Sequence, residues 1–497
     1  MRSLDPTRRP GWPLFLLAAL STCAASGGLN SGDSQPTSAR SKPAAARASA
    51  GAPDPVPPEK LHEDFRILRG ALEEGHPGIY RYTPKPVLDR RFDQAEKALD
   101  HPMNVYEFYR IVAPVVAAIK CGHTGVRVSP DLTKGKPRLP LVVRVLDGKI
   151  YVLRDLSDAQ AALAGQEIRS VNDLAADRIV QTMLTAMPAD GDVQTARLRR
   201  IGGSNFATGL IDLLGLESPY TITFWDAKQG REHAVRLEGI DAAKLEERRP
   251  KEAATLTFLD DGKFADLKIN RFGGTADKKE LKVFLRESFT ELARRKSTAL
   301  ILDLRDNGGG ADDLGKLLLS FLIDEPFQYY DDLVLNGVDF SFRKYTNQQR
   351  ALPVDMLERQ PNGKYRMVKH PNWGMQQPSK PTFTGKVYIL INGDSFSTTS
   401  EFLSHAHARK RAEFIGEESG GGYYGNTSGP GAILTLPNTK LQAYVPLMGY
   451  YMAVRDDKAA NHGVVPDHAV KYTIDELLAG NDKELALALE LARKNAR

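Results

Sequence analysis

Cysteine is almost missing from this 497-residue chain, which has only Cys23 and Cys121. Once Cys23 is cleaved off or lipidated no intrachain disulfide is left, so stability must come from packing. There is no dense Lys/Arg block interleaved with aromatics, and a net charge of +5 is mild for this length, which argues against a nucleic-acid partner. Phosphate loops are missing too: no GK[ST] and no GxGxxG opens a helix. His405 and His407 stand two apart on a predicted helix, point in different directions and lack a third ligand, so no metal is expected there. No cofactor is implied either.

What the chain does have is apolar material. At 41% hydrophobic and 26% charged it can fill two or three globular cores. The front end is different: arginines precede an apolar stretch from Trp12 to Leu20, and small residues follow, the layout of an export signal over 1–25. That stretch is too short to span a bilayer as a mature helix. Cys23 sits close to a lipid-attachment pattern, with Thr22 atypical before it, so lipidation and ordinary cleavage both stay open. Either outcome puts the mature protein outside the cytoplasm, in the periplasm or cell envelope, with a membrane tether if Cys23 carries lipid.

Residues 26–58 are Ala, Ser, Gly and Pro with scattered basic groups, too poor in large apolar residues to pack, and read as a linker. Over 59–125 apolar residues recur at helical spacing, as in Phe65, Leu68 and Leu72, which predicts a helical domain ending at CGHTGV. Over 126–250 strands dominate, with a hairpin around Asp147-Gly148. The order of strands, short helix and GQEIRSVND resembles a PDZ domain, a module that binds peptide ends by strand addition; a plain β-rich insertion is the alternative. From 251 to 475 apolar strands alternate with helices, the pattern of a covered, largely parallel α/β sheet, and a helix closes the chain over 476–497.

Catalytic groups in such a sheet belong at the carboxyl ends of strands. Two strand ends stand out, DLRDNGGG (303–310) and INGDSFSTTSEF (391–402). Three glycines let the backbone turn tightly and aim N–H groups into a cleft, as an oxyanion hole requires; a merely tight turn is the bland reading. The hydroxyl cluster is explained either by caps for the following helix or by a nucleophile among them. Asp312 and Asp313 read as caps of the next helix, and Cys121 as a small buried residue.

Together, DLRDNGGG, VYILINGDSFSTTSEF, FIGEESGGG and the upstream CGHTGV resemble the C-terminal processing (tail-specific) peptidases of serine peptidase family S41, in the branch of the tricorn core and the retinoid-binding-protein-like bacterial peptidases. The resemblance implies a crotonase-like (ClpP-like) α/β core with peptide or unfolded protein as substrate. It also implies Ser397 as nucleophile, and an oxyanion hole from the N–H groups of Thr398 and of Gly309 or its neighbour Gly310. Ser395 is the rival serine, but GDSFS does not fit GxSxG. Many family members take their base from a lysine in a segment that here reads GEESGGGYYGN and contains none. The other branch takes a histidine from a GHT segment, which here is His123, with an ordinary pKa of about 6.5. Its relay ends in a glutamate shortly before GVxPD, yet GVVPD (463–467) is preceded by DDKAANH, so Asp456, Asp457 or Asn461 is left to stand behind the imidazole. The expected activity is an exported serine peptidase working through an acyl-enzyme. The rivals are a noncatalytic binding protein on the same fold and an esterase using the same serine.

Overall fold

The computed structural model of the chain describes residues 54–495 except 159–162, 228, 246–249, 251, 274–277, 349 and 456–459. The expected export signal, Cys23, nearly all of the linker, Asp456 and Asp457 lie outside the described residues. Among the described residues no helix is long and apolar enough to cross a membrane.

The centre is a six-stranded sheet in the order His468–Ala469, Glu413–Gly416, Lys386–Ile391, Ala299–Asp303, Phe264–Ile269, Ala254–Leu259. Neighbours are parallel except at the last, antiparallel edge. Its inner strands are buried on both faces, which is why they read as continuous apolar runs rather than alternating ones. Leu300, Leu302, Val387 and Ile389 face one core, while Ile301, Tyr388 and Leu390 face another, closed by the helix Lys483–Asn495.

Three helices, Pro58–Gly75, Lys85–Lys97 and Val105–Ala117, precede this sheet. The third opens on a capping box in which the Asn104 side chain accepts from the Glu107 N–H and the Glu107 carboxylate accepts from the Asn104 N–H. The helices have no core to themselves: Leu61, Phe65, Leu68 and Phe108 belong to the same buried cluster as Leu302 and Leu314. A second, antiparallel sheet lies across this cluster and is built on the long strand Gln442–Met452. That strand pairs with Thr427–Thr435 on one side and with Gly125–Arg127 and Tyr330–Leu335 on the other.

The middle segment has its own core around Leu141, Val143, Ile168, Ile179, Phe206 and Phe224. Its antiparallel sheet runs in the order Leu141–Leu146, Lys149–Asp155, Glu167–Val171, Tyr220–Asp226, Arg231–Leu237. Asp147 and Gly148 take positive φ of 47° and 79° in a two-residue turn, the geometry that an Asp-Gly pair between strands predicts. Asp312 and Asp313 correct their expected role: the helix Asp312–Ser320 is capped by Ala311 without a side-chain bond. Both aspartates stand in its first turn, Asp312 against His370 and Asp313 against Lys278 and Lys282.

A shared core predicts shared melting. Phe65→Ala should cost about 3–5 kcal/mol and lower a single unfolding transition seen alike by helix and sheet probes. Two separated transitions in urea would show that the helices fold on a core of their own.

Candidate active site

Asp303 lies in register beside Leu390, and Ile391 beside Gly416, so three neighbouring strands end at one edge of the sheet. The three turns that follow are Leu304–Gly310, Asn392–Ser397 and Glu417–Gly422. Side chains tie the first two together. Asn392 Oδ1 accepts from the N–H groups of Asp306 (3.1 Å) and Asp394 (3.0 Å), and its Nδ2 donates to Asp306 Oδ1. Ser395 is fully buried; its Oγ donates to Leu304 O at 2.8 Å and accepts the Asn392 N–H at 3.0 Å. The rival serine is thus a staple between strand ends. Thr398 Oγ1 donates to Gly310 O and Ser400 Oγ to Ser395 O. The hydroxyls therefore cross-link turns; they do not cap the helix, as the bland reading expects.

The residue at the N-cap of the helix Thr398–Ala408 is Ser397 itself, with no capping bond and with φ 57°, ψ −127°. A non-glycine residue rarely adopts such a backbone, which costs about 1–3 kcal/mol and is held only where its surroundings over-determine it. Here it projects Oγ away from the helix. His123 Nε2 lies 3.0 Å from that oxygen, although the two residues are 274 apart in sequence. His123 reaches it from the loop after the third helix, where Lys120 turns the chain with φ 59°. His76 steadies that loop: its Nδ1 accepts the Gly78 N–H, so Nε2 carries the proton and donates to Thr124 Oγ1. The His123 ring packs on Phe396 with centroids 4.5 Å apart, and the Arg200 guanidinium covers the same phenyl ring. Burial pushes the His123 imidazole down to about 3, leaving the ring neutral at neutral pH, with one nitrogen free to accept a proton.

Gly309 has φ +98°, and a Cβ there would come within 2.7 Å of Ser397 Cβ and 2.9 Å of Thr398 N. Only glycine lets this turn approach so closely. Its N–H, expected at the oxyanion site, is turned instead onto Asn307 Oδ1 at 3.0 Å. The N–H groups of Gly310 and Thr398 have no acceptor among the described residues.

Behind the imidazole, His123 Nδ1 is buried and has no hydrogen-bond partner among the described residues. Asp457 and Asp456 lie outside the described residues. Asn461 is exposed and meets the framework through its carbonyl, which accepts the Asp192 N–H at 2.8 Å, so its amide does not back the ring. Asp190, which no motif marks, is buried there: Oδ1 accepts from Gly122 N (2.6 Å) and Oδ2 from Gly422 N (3.1 Å). Ligand atoms of Asp190, Cys121 and His123 lie within 4.8 Å of one another. Cys121 directs its thiol to Thr427 O, and burial pushes its pKa up to about 12. His405 and His407 are bonded to Tyr329 O and Tyr423 OH respectively.

Arg199, from the middle segment, also went unmarked in the sequence. Its guanidinium meets Asp306 (2.8 Å), Asp394 (3.6 Å) and Glu417 (2.7 Å), one carboxylate from each of the three turns. One turn into the serine's helix, Glu401 is buried, accepts from Tyr330 OH and Asn426 Nδ2, and is pushed by burial and by Asp312 to a pKa of about 7.

Residues 263–470 match the model of peptidase family S41, which identifies this part of the chain as a peptidase segment of that family and supports a serine peptidase, a hydrolase. Ser397 and the glycine turn fall inside that match; His123 falls before it. Among solved structures, mature CPAF is similar with a TM-score of 0.57 at 15% identity, covering 88% of this chain and 96% of that one. Mature CPAF complexed with lactacystin gives 0.57 at 14% identity, covering 88% and 98%. The photosystem II D1 C-terminal processing protease gives 0.39 at 15%, covering 83% and 93%. At these identities the likeness to CPAF is one of fold. No curated protein matches the chain.

Glu401 makes a pH prediction. Its folded pKa is above the unfolded value, so its contribution to stability is fully present below about 4.5 and is lost as pH rises through about 7. Glu401→Gln should remove this dependence and gain up to about 3 kcal/mol on wild type between pH 5 and 8 in urea titrations. An unchanged difference across that range would contradict it.

Proposed function

We propose that the protein is an exported serine peptidase in which Ser397 attacks a peptide carbonyl while His123 takes its proton and returns it to the leaving amine. The observation that carries this reading is the 3.0 Å contact between Ser397 Oγ and a neutral His123 Nε2, made by two motifs far apart in the chain. The strained backbone at Ser397 supports it, since strain of this kind clusters at nucleophiles on strand-to-helix turns. The oxyanion of the tetrahedral intermediate is received by the N–H groups of Thr398 and Gly310. Thr398 begins a helix, where negative charge is favoured, and the engagement of the Gly309 N–H by Asn307 moves the second donor to its neighbour. Each donor is worth about 3–4 kcal/mol of barrier. Collapse of the intermediate leaves an acyl-enzyme, which water then hydrolyses.

The core is read as crotonase-like and the middle sheet as PDZ-like, recruiting an unfolded chain end by strand addition. Export follows from the leader pattern ahead of the linker, and a lipid on Cys23 would tether the enzyme to a membrane.

A fluorophosphonate probe should label the wild-type protein, and Ser397→Ala should abolish both labelling and cleavage of an unstructured peptide. His123→Ala should lower kcat at least 10³-fold with little change in KM. Folded wild-type protein that is not labelled would favour the noncatalytic binder. Turnover of nitrophenyl esters without turnover of peptides would make it an esterase.

A further inference from the structure

For Nε2 of His123 to accept a proton from Ser397, the ring must carry its own proton on Nδ1, and that atom is buried without an acceptor at bonding distance. A donor left unsatisfied in a buried site is costly, and the imidazolium formed during the reaction would be more so. In triads of this kind a carboxylate fills the position. We propose that Asp190 is the positioning residue for His123, holding the Nδ1–H tautomer and stabilising the imidazolium; this rests on the Ser397–His123 reading above.

Four observations point to Asp190. It is the one carboxylate among the described residues that shares a 4.8 Å cluster with His123. Its side chain is 1% exposed and is fixed by N–H groups from both flanks of the site, Gly122 beside the base and Gly422 in the third turn. Each oxygen accepts one of these bonds, and a carboxylate has about four acceptor positions, so capacity for Nδ1–H is left over. Among the described residues other candidates are engaged or turned away: Glu418 accepts from His462 and from the Gly463 N–H, Cys121 is turned to Thr427 O, and Asn461 is exposed. The gap is longer than a hydrogen bond, as is common before substrate binds.

The groups facing Asp190 are Arg81, Tyr82, Cys121 and His123, with His76 next beyond His123. Burial raises the Asp190 carboxyl, while the two N–H groups and the Arg81 charge act against that and favour the anion. An anion here favours the imidazolium, so its removal lowers the imidazole pKa.

The test is peptide cleavage by Asp190→Asn in the full chain, beside Ser397→Ala and His123→Ala. Asp190→Asn should lower kcat about 10²-fold with KM within a factor of three, and the acid limb of kcat/KM should move to lower pH. Asp190→Glu, which keeps the charge, should recover at least a tenth of wild-type kcat and the original pH limb. The proposal fails if Asp190→Asn keeps kcat within threefold of wild type. It also fails if activity lost with a lower Tm returns once corrected for the folded fraction, with the acid limb unmoved. Turnover that survives Ser397→Ala or His123→Ala would remove the Ser/His reading itself, whereas turnover lost in both and kept in Asp190→Asn would remove this proposal alone.

Discussion

Parallel pairing between the strands Ala299–Asp303 and Lys386–Ile391 is the constraint on which the site depends. Because Asp303 sits beside Leu390, the glycine turn and the serine turn leave the sheet at the same height and meet face to face. A slip of one residue would turn every side chain of a strand to the other face and separate the two turns. The register is over-determined. Alternate residues fill two different cores, and Asn392 and Ser395 bond across from one turn to the other. The unusual backbone at Ser397 is affordable only on such a foundation.

The second element of order comes from the middle segment, which is more than an appended module. Between Pro188 and Arg200 it touches every piece of the site. Asp190 accepts from Gly122 and Gly422, Thr195 Oγ1 donates to Glu418 O, Arg199 joins the three turns, and Arg200 lies on Phe396. Glycines at 393 and 420 let this strap lie directly on the turns, since a Cβ at either would come within 3.2 Å of Thr195 or Ala196. The strap thus couples the middle sheet mechanically to the serine and to the glycine turn.

Much of the architecture was legible in the sequence because it rests on local rules. Doubly buried parallel strands show as apolar runs, and Asp147-Gly148 shows as a hairpin turn. Ser397 and His123 came to notice through motifs, and the structure sets them 3.0 Å apart. Other features were not legible. Helical periodicity says which face of Phe65 and Leu68 is buried but not against what, so the core shared with the sheet could not be seen. Asp190 and Arg199 lie in MPADGDVQTARLRR, where nothing distinguishes them from surface charges; only the packing of the strap brings them inward. The hydroxyls looked like caps because the local pattern of a cap and that of a cross-link are the same, and the difference lies in an acceptor, such as Leu304 O, about 90 residues away.

The separation of Ser397 from His123 has a bearing on how the enzyme comes into being. The histidine is made first and the serine 274 residues later, and their contact is one of the folded state, between chain segments that local structure alone does not bring together. Until the chain folds, the two side chains of this contact stand at opposite ends of an unfolded stretch. On the Ser/His mechanism proposed above, folding itself is therefore the safety catch: an unfolded molecule does not hold the pair together.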